Sequence, residues 1–253
     1  MSKIVREPYG LAYVEKSGFK DVYGGAGGMV FVECMRIRPV DGDSKSVIVF
    51  SHPVGGGSFL PMVTSLAHAG HHVIYCNTRY RGNDSALIME KCVADLGACL
   101  KDLPERFGYE NVILGGWSGG GSLSLFYQSQ AENPTITHTP AGDPYDLTAM
   151  QSPPVQGIML LAAHISRAVT LTEWMDPSIL DEDKPFERDP ELNIYNPDNP
   201  NKPPYSEAFV ARFRAAQIAR NRRITARVKA ELEALKAAGE HNMERCFTVQ
   251  GTM

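Results

Sequence analysis

Four short apolar runs, separated by turn-rich and helical stretches, constrain this chain more than any other feature: "SVIVF" (46–50), "HHVIYCN" (71–77), "NVILGGW" (111–117) and "VQGIMLLAA" (155–163). Runs of this length, rich in Val and Ile and without polar alternation, predict strands covered on both faces. Helical stretches lie between the first three. One spans 58–69, and another spans 86–107 with Leu87, Met89, Val93, Leu96 and Leu100 largely on one side. A third helix opens with "GGGSLSLFYQSQ" (119–130). This alternation predicts an α/β fold, a mostly parallel sheet with helices on both faces, connected by right-handed crossovers.

Ahead of the first run, "LAYVE" and "MVFVECMRIRP" have the β-branched and aromatic content of an antiparallel edge hairpin. The cluster "YGGAGG" that joins them fails the G-x-G-x-x-G spacing, because Val30 stands at the last glycine position, so it reads as a turn and not a phosphate cradle. Beyond Gln130 the chain becomes proline- and turn-rich, and it does so again from His164 to Tyr205. A long helix then follows, with Ser206 as N-cap, an apolar stripe of Phe209, Phe213, Ile224, Val228, Leu232 and Leu235, and Gly239 just past its end. The closing "RCFTVQGTM" reads as one more strand. The division expected is a core over 1–163, a lid or cap insertion over 164–244, and a return strand of the core over 245–253.

Composition narrows the function classes. A formal charge of -4 offers no nucleic-acid surface. The 5 cysteines show no C-x-x-C spacing, which points to buried free thiols in a reducing compartment and away from a disulfide framework or a zinc site. The N-terminus has no signal-peptide apolar region and the chain has no membrane-length apolar run, so a cytoplasmic protein without a membrane span is expected. His71 and His72 would point to opposite faces of one strand and cannot chelate together; no metal and no cofactor are expected. The arginines of the long helix, from Arg212 to Arg227, read as a solvated face that the acidic "DEDKPFERDPE" could pair with.

The chemistry centres on Gly116-Trp117-Ser118-Gly119-Gly120, a G-x-S-x-G set between a predicted strand and a predicted helix. A serine on such a strained turn exposes its hydroxyl, and the amide of Gly119 at the helix start faces the oxyanion that forms in acyl transfer. The plainer alternative is a tight connection with Ser118 as an N-cap. Two further loops favour chemistry. "SHPVGGG" after the first run would supply a second oxyanion donor, the N–H of Val54 with Gly55 as the alternative, while His52 shapes the loop. "NTRYRGNDS" follows the second run.

A strand ending in an H-G-like loop, a strand ending in an R-G-x-x-S-like turn, and then the serine turn together resemble the α/β-hydrolase family over roughly 46–126, and more loosely at 155–163. Pro53 and Asn77 depart from its usual residues. The resemblance implies a serine hydrolase of the esterase or lipase kind, acting on a carboxylic ester or related small acyl compound through an acyl-enzyme on Ser118. It also implies the chain order serine, acid, histidine, with the acid after the strand that follows the lid. Here that strand would be 245–249, so the expected fold is C-terminally incomplete, without its usual acid and base. A second chain or a homo-oligomer could complete it. The histidines after Ser118 are His138, His164 and His241; His164 ends the fourth run and stands in for the base, and Asp176 in "EWMDPS" for the acid. A substrate-lining role for His164 and turn capping by Asp176 are the plainer readings. A non-catalytic binding module and an acyltransferase with the same nucleophile remain the alternatives.

Overall fold

A computed structural model of the chain describes residues 2–15, 28–82, 86–240, 245 and 248–252. They form two units, Met1–Ile165 and Ser166–Met253.

In the first unit, six strands form one sheet in the order β1-β2-β4-β3-β5-β6. These are β1 (Ile4–Val14), β2 (Met29–Pro39), β3 (Ser46–Ser51), β4 (Val73–Cys76), β5 (Asn111–Trp117) and β6 (Gly157–Leu161). β1 and β2 form the expected antiparallel hairpin, β2 runs antiparallel to β4, and the four remaining strands are parallel. β1 starts seven residues before the expected "LAYVE", because its first half carries charges that pair across the hairpin: Glu7 sits opposite Arg36 and bonds both Arg36 and Arg38. The Arg38 hydrogen bond is the largest of the effects that hold the Glu7 carboxyl below its ordinary pKa. The turn at Tyr23–Gly28 lies, apart from Gly28, outside the described residues.

Strand alternation sorts the core into two layers. Val47, Val49, Ile74 and Cys76 pack with Leu96, Leu103, Leu123 and Tyr127, from α2 (Met89–Phe107) and α3 (Gly119–Glu132). Phe50, Val73 and Tyr75 face the other way, toward Val63 and Ala67 of α1 (Pro61–His68). α1 begins three residues later than its apolar pattern suggests, with Pro61 at the first position, where a missing N–H costs nothing, and the amide of Leu60 closing a turn on the Gly57 carbonyl at 3.0 Å. α2 ends on Gly108, left-handed at φ 71, as a helix C-cap requires.

The turn after β4 is held by a buried charge network. Arg79, with its side chain 3% exposed, donates to Asp95 of α2 and to Glu15, and Tyr13 and Tyr145 donate to those carboxylates. Burial pushes Glu15 up, but hydrogen bonds from Arg79 and Tyr145 outweigh it and hold the carboxyl below its ordinary pKa. Residues 83–85 of the "RGNDS" turn lie outside the described set.

The second unit is organised by α5 (Glu207–Ala237), with the short α4 (Arg167–Glu173) packed against it. Ser206 caps α5, its side chain accepting from the Phe209 amide at 3.2 Å, and Gly239 follows the end at φ 77. The arginine face is solvated except at Arg220, which is wholly buried. Its guanidinium bonds both oxygens of Glu182 at 2.8 and 2.7 Å and the carbonyls of Asp176, Gln250 and Gly251. Arg212 and Arg227 pair with Glu191 and Asp183, so the acidic segment does answer the arginines.

Of the expected return strand at 245–253, residues 246, 247 and 253 lie outside the described set. Among the described residues the six-stranded sheet takes no strand from this segment; Thr252 bridges Met175, and Arg220 captures the carbonyls that a strand would offer to a sheet. The second unit begins at Ser166. No helix among the described residues is long and apolar enough to cross a membrane.

Candidate active site

β5 delivers the chain to Ser118 and α3 leaves from it within a single residue. Ser118 has φ 52 and ψ -126, a conformation that crowds a Cβ and is strained by about 1–3 kcal/mol. Three backbone bonds fix it: its amide donates to the Leu161 carbonyl of β6 at 3.3 Å, and its carbonyl accepts from Gly121 at 3.1 Å and from His164 at 2.9 Å. The side chain is half-buried at the tip of the turn.

The surrounding glycines answer a packing demand. A Cβ on Gly120 would run into the Ser51 carbonyl oxygen, and one on Gly121 into the Cβ of Ala163. α3 therefore seats against the ends of β3 and β6 by backbone contact, and its first-turn amides, those of Gly119 and Gly120 among them, have no intrahelical acceptor.

The "SHPVGGG" loop after β3 is held from below by the end of β4. Tyr75 donates to the Gly55 carbonyl at 2.7 Å, Thr78 to the Pro53 carbonyl at 2.5 Å, and the Gly82 amide to the Val54 carbonyl at 2.8 Å. Tyr75 and Thr78 were not among the residues the sequence singles out; strand alternation, which puts Tyr75 on the face opposite Cys76, is the signal that would have found the first.

His52 lies inside this loop, with Nε2 placed so that a Cβ on Gly119 would lie 3.0 Å away. Its Nδ1 accepts from the amides of Gly55 at 2.9 Å and Val54 at 3.2 Å. Those bonds put the ring proton on Nε2, so His52 shapes the loop and offers no base toward Ser118. Both amides, the expected oxyanion donors, are turned onto the ring. The single lone pair of Nδ1 serves Gly55 better, and Val54 is the looser of the two.

The three downstream histidines part company. The His164 main chain is bonded to Ser118, whereas His138 stands in an isolated bridge to Pro144 with Nδ1 2.9 Å from the Thr137 hydroxyl. His241 lies outside the described residues. Asp176 belongs to the second unit, and its carboxylate is committed there: Oδ1 accepts from the amide and hydroxyl of Ser178, and Oδ2 pairs with Arg188. These contacts make it a turn-forming residue.

An antiparallel hairpin leads into parallel strands in the order β4-β3-β5-β6, and the strained serine sits where the third of the parallel strands in chain order turns into its helix. This is a mixed α/β sheet whose strand order and serine turn resemble those of the α/β-hydrolase fold. No family model matches the chain, and no curated protein matches it in sequence. Solved structures are similar to it. Esterase B from Lactobacillus rhamnosis, with a tributyrin phosphonate, is 15% identical at a TM-score of 0.41, over 68% of this chain and 52% of that one. A bacterial heroin esterase is 15% identical at 0.40, over 70% and 47%. Brefeldin A esterase, a bacterial homologue of human hormone-sensitive lipase, is 21% identical at 0.34, over 50% and 36%. The chain thus spans about half the length of the first two and less of the third. The likeness is loose.

Proposed function

We propose that the chain is a serine hydrolase that cleaves a carboxylic ester or related small acyl compound through an acyl-enzyme on Ser118. The observation that carries the reading is the strain at that residue: a side chain at φ 52 and ψ -126, with glycine contacts packed around it, is costly to keep for a mere connection. In this reading the Ser118 hydroxyl attacks the acyl carbon, its proton passes to a base, and the carbonyl electrons move onto oxygen. The Gly119 amide receives that oxyanion at the start of α3. Val54 is the second donor, because its 3.2 Å bond to His52 is the weaker of two competing for one lone pair and is readily exchanged for an anionic acceptor. His164 is the base candidate, since its amide bond to the Ser118 carbonyl anchors it at the turn. The oxyanion then collapses, the ester C–O bond breaks, and the leaving alcohol departs with the proton held by the base; water attacks the acyl-enzyme in the same way and releases the acid and Ser118, and an alcohol in place of water would make the same machinery an acyltransferase.

The test is the time course of an activated p-nitrophenyl ester. A burst of p-nitrophenol stoichiometric with protein, abolished in Ser118→Ala, supports the acyl-enzyme. Turnover that survives unchanged in Ser118→Ala refutes it, and ester binding without turnover in either protein favours a non-catalytic binding module.

A further inference from the structure

Three cysteines that sequence spacing keeps far apart meet in the core of the first unit. Cys34 lies in β2, Cys76 ends β4 and Cys99 is on α2, and their sulfurs all lie within 4.8 Å of one another. Register explains the meeting. Tyr9 is opposite Cys34 across the β1–β2 pair, and Cys34 is opposite Cys76 across the β2–β4 pair, so the three form a row on one face of the sheet. α2 lays Cys99 over that row. All three thiols are buried, at 4%, 0% and 1% exposure. Cys92, seven residues earlier on the same helix, is equally buried and stays outside the group.

One observation distinguishes this cluster from ordinary apolar filling. The Tyr9 hydroxyl, next in the row, is buried without a hydrogen-bond partner. A neutral thiol is a poor acceptor, whereas a thiolate is a good one, so the hydroxyl is matched to sulfurs that carry negative charge.

Thiolate donors select soft cations. Zinc closes its structural sites with four ligands, but this group comprises three sulfurs and no histidine or carboxylate among the described residues. We propose that Cys34, Cys76 and Cys99 form a binding site for a soft cation of low coordination number, copper(I), with Tyr9 donating to one of the ligating sulfurs. Up to three copper–sulfur bonds form, each ligating thiol releases its proton to solvent, and the ion keeps its oxidation state. The absence of C-x-x-C spacing, which argues against metal binding in the sequence, carries no weight when the ligands come from two strands and a helix. The site is independent of Ser118.

The test titrates the reduced whole chain with copper(I) under nitrogen against the copper(I) chelator bathocuproine disulfonate, following retained copper and the ultraviolet sulfur-to-copper charge-transfer band. One copper per chain is expected. Cys34→Ser and Cys99→Ser each lower affinity about 100-fold or more, Cys92→Ser leaves it unchanged, and Tyr9→Phe lowers it about 10-fold. Tyr9→Phe removes a hydroxyl that has no partner, so it serves as the folded variant should a serine variant fail to fold. Copper lost entirely to the chelator, equal retention in Cys34→Ser, or an equal loss in Cys92→Ser would overturn the proposal. A Cys34–Cys76 disulfide formed with peroxide in a chain that retains no copper would also overturn it, in favour of a redox pair.

Discussion

Replacing Ser118 by alanine or by glycine separates chemistry from backbone strain, because both remove the hydroxyl and only glycine removes the Cβ. At φ 52 and ψ -126 the Cβ costs about 1–3 kcal/mol. Glycine relieves that cost but adds about 0.5–1 kcal/mol through the freedom it gains in the unfolded chain. The difference leaves Ser118→Gly about 1 kcal/mol more stable than Ser118→Ala, equivalent to about 2–4 °C for a unit of this size. Thermal unfolding followed by near-ultraviolet circular dichroism, with urea midpoints as a second measure, reads this directly. An alanine variant as stable as the glycine variant, or more so, would mean that residue 118 is not held in the strained conformation, and the argument from geometry to nucleophile would fail with it.

Three further outcomes follow from named contacts. Gly120→Ala drives a methyl into the Ser51 carbonyl, where backbone cannot yield easily, so a loss of about 1–3 kcal/mol and of ester turnover is expected in denaturant and activity assays. Glu15 has a folded pKa below its unfolded value, so its stabilisation is present above the unfolded carboxylate pKa and disappears as pH falls through the folded one; Glu15→Gln is less stable at neutral pH and loses less on acidification than the parent, as a urea series from pH 7 to pH 3 would show. Arg220→Ala leaves Glu182 and the carbonyls of Asp176, Gln250 and Gly251 without their donor, for about 3–5 kcal/mol, and Arg220→Lys recovers little of it; faster amide exchange over 248–252 is the readout.

What the chain's letters reveal depends on how local the cause is. β3 and β5 are near-continuous apolar runs because helices cover both faces, and Ser206 and Gly239 bracket α5 because caps are local chemistry. The glycines around Ser118 are visible as a cluster, but their reason is not: the Ser51 carbonyl and Ala163 that exclude side chains there come from the end of β3 and the segment after β6. The same limit hid the first half of β1, whose charges find partners only across the hairpin, and the amides of Val54 and Gly55, whose acceptor is a ring two or three residues back that could have pointed anywhere. Arg220 is one arginine among several on α5, and nothing in its neighbours marks it as the buried one. The thiol row is the extreme case, since register and a helix crossing alone bring residues 34, 76 and 99 together.

The most direct measurement of the central claim is covalent labelling of the folded chain with a fluorophosphonate, read by mass spectrometry of the peptide that contains Ser118. The account predicts a single adduct on Ser118, absent from Ser118→Ala and prevented by prior reaction with an activated ester. A folded chain that takes up no label, or that is labelled at another serine with Ser118 unmodified, would contradict it.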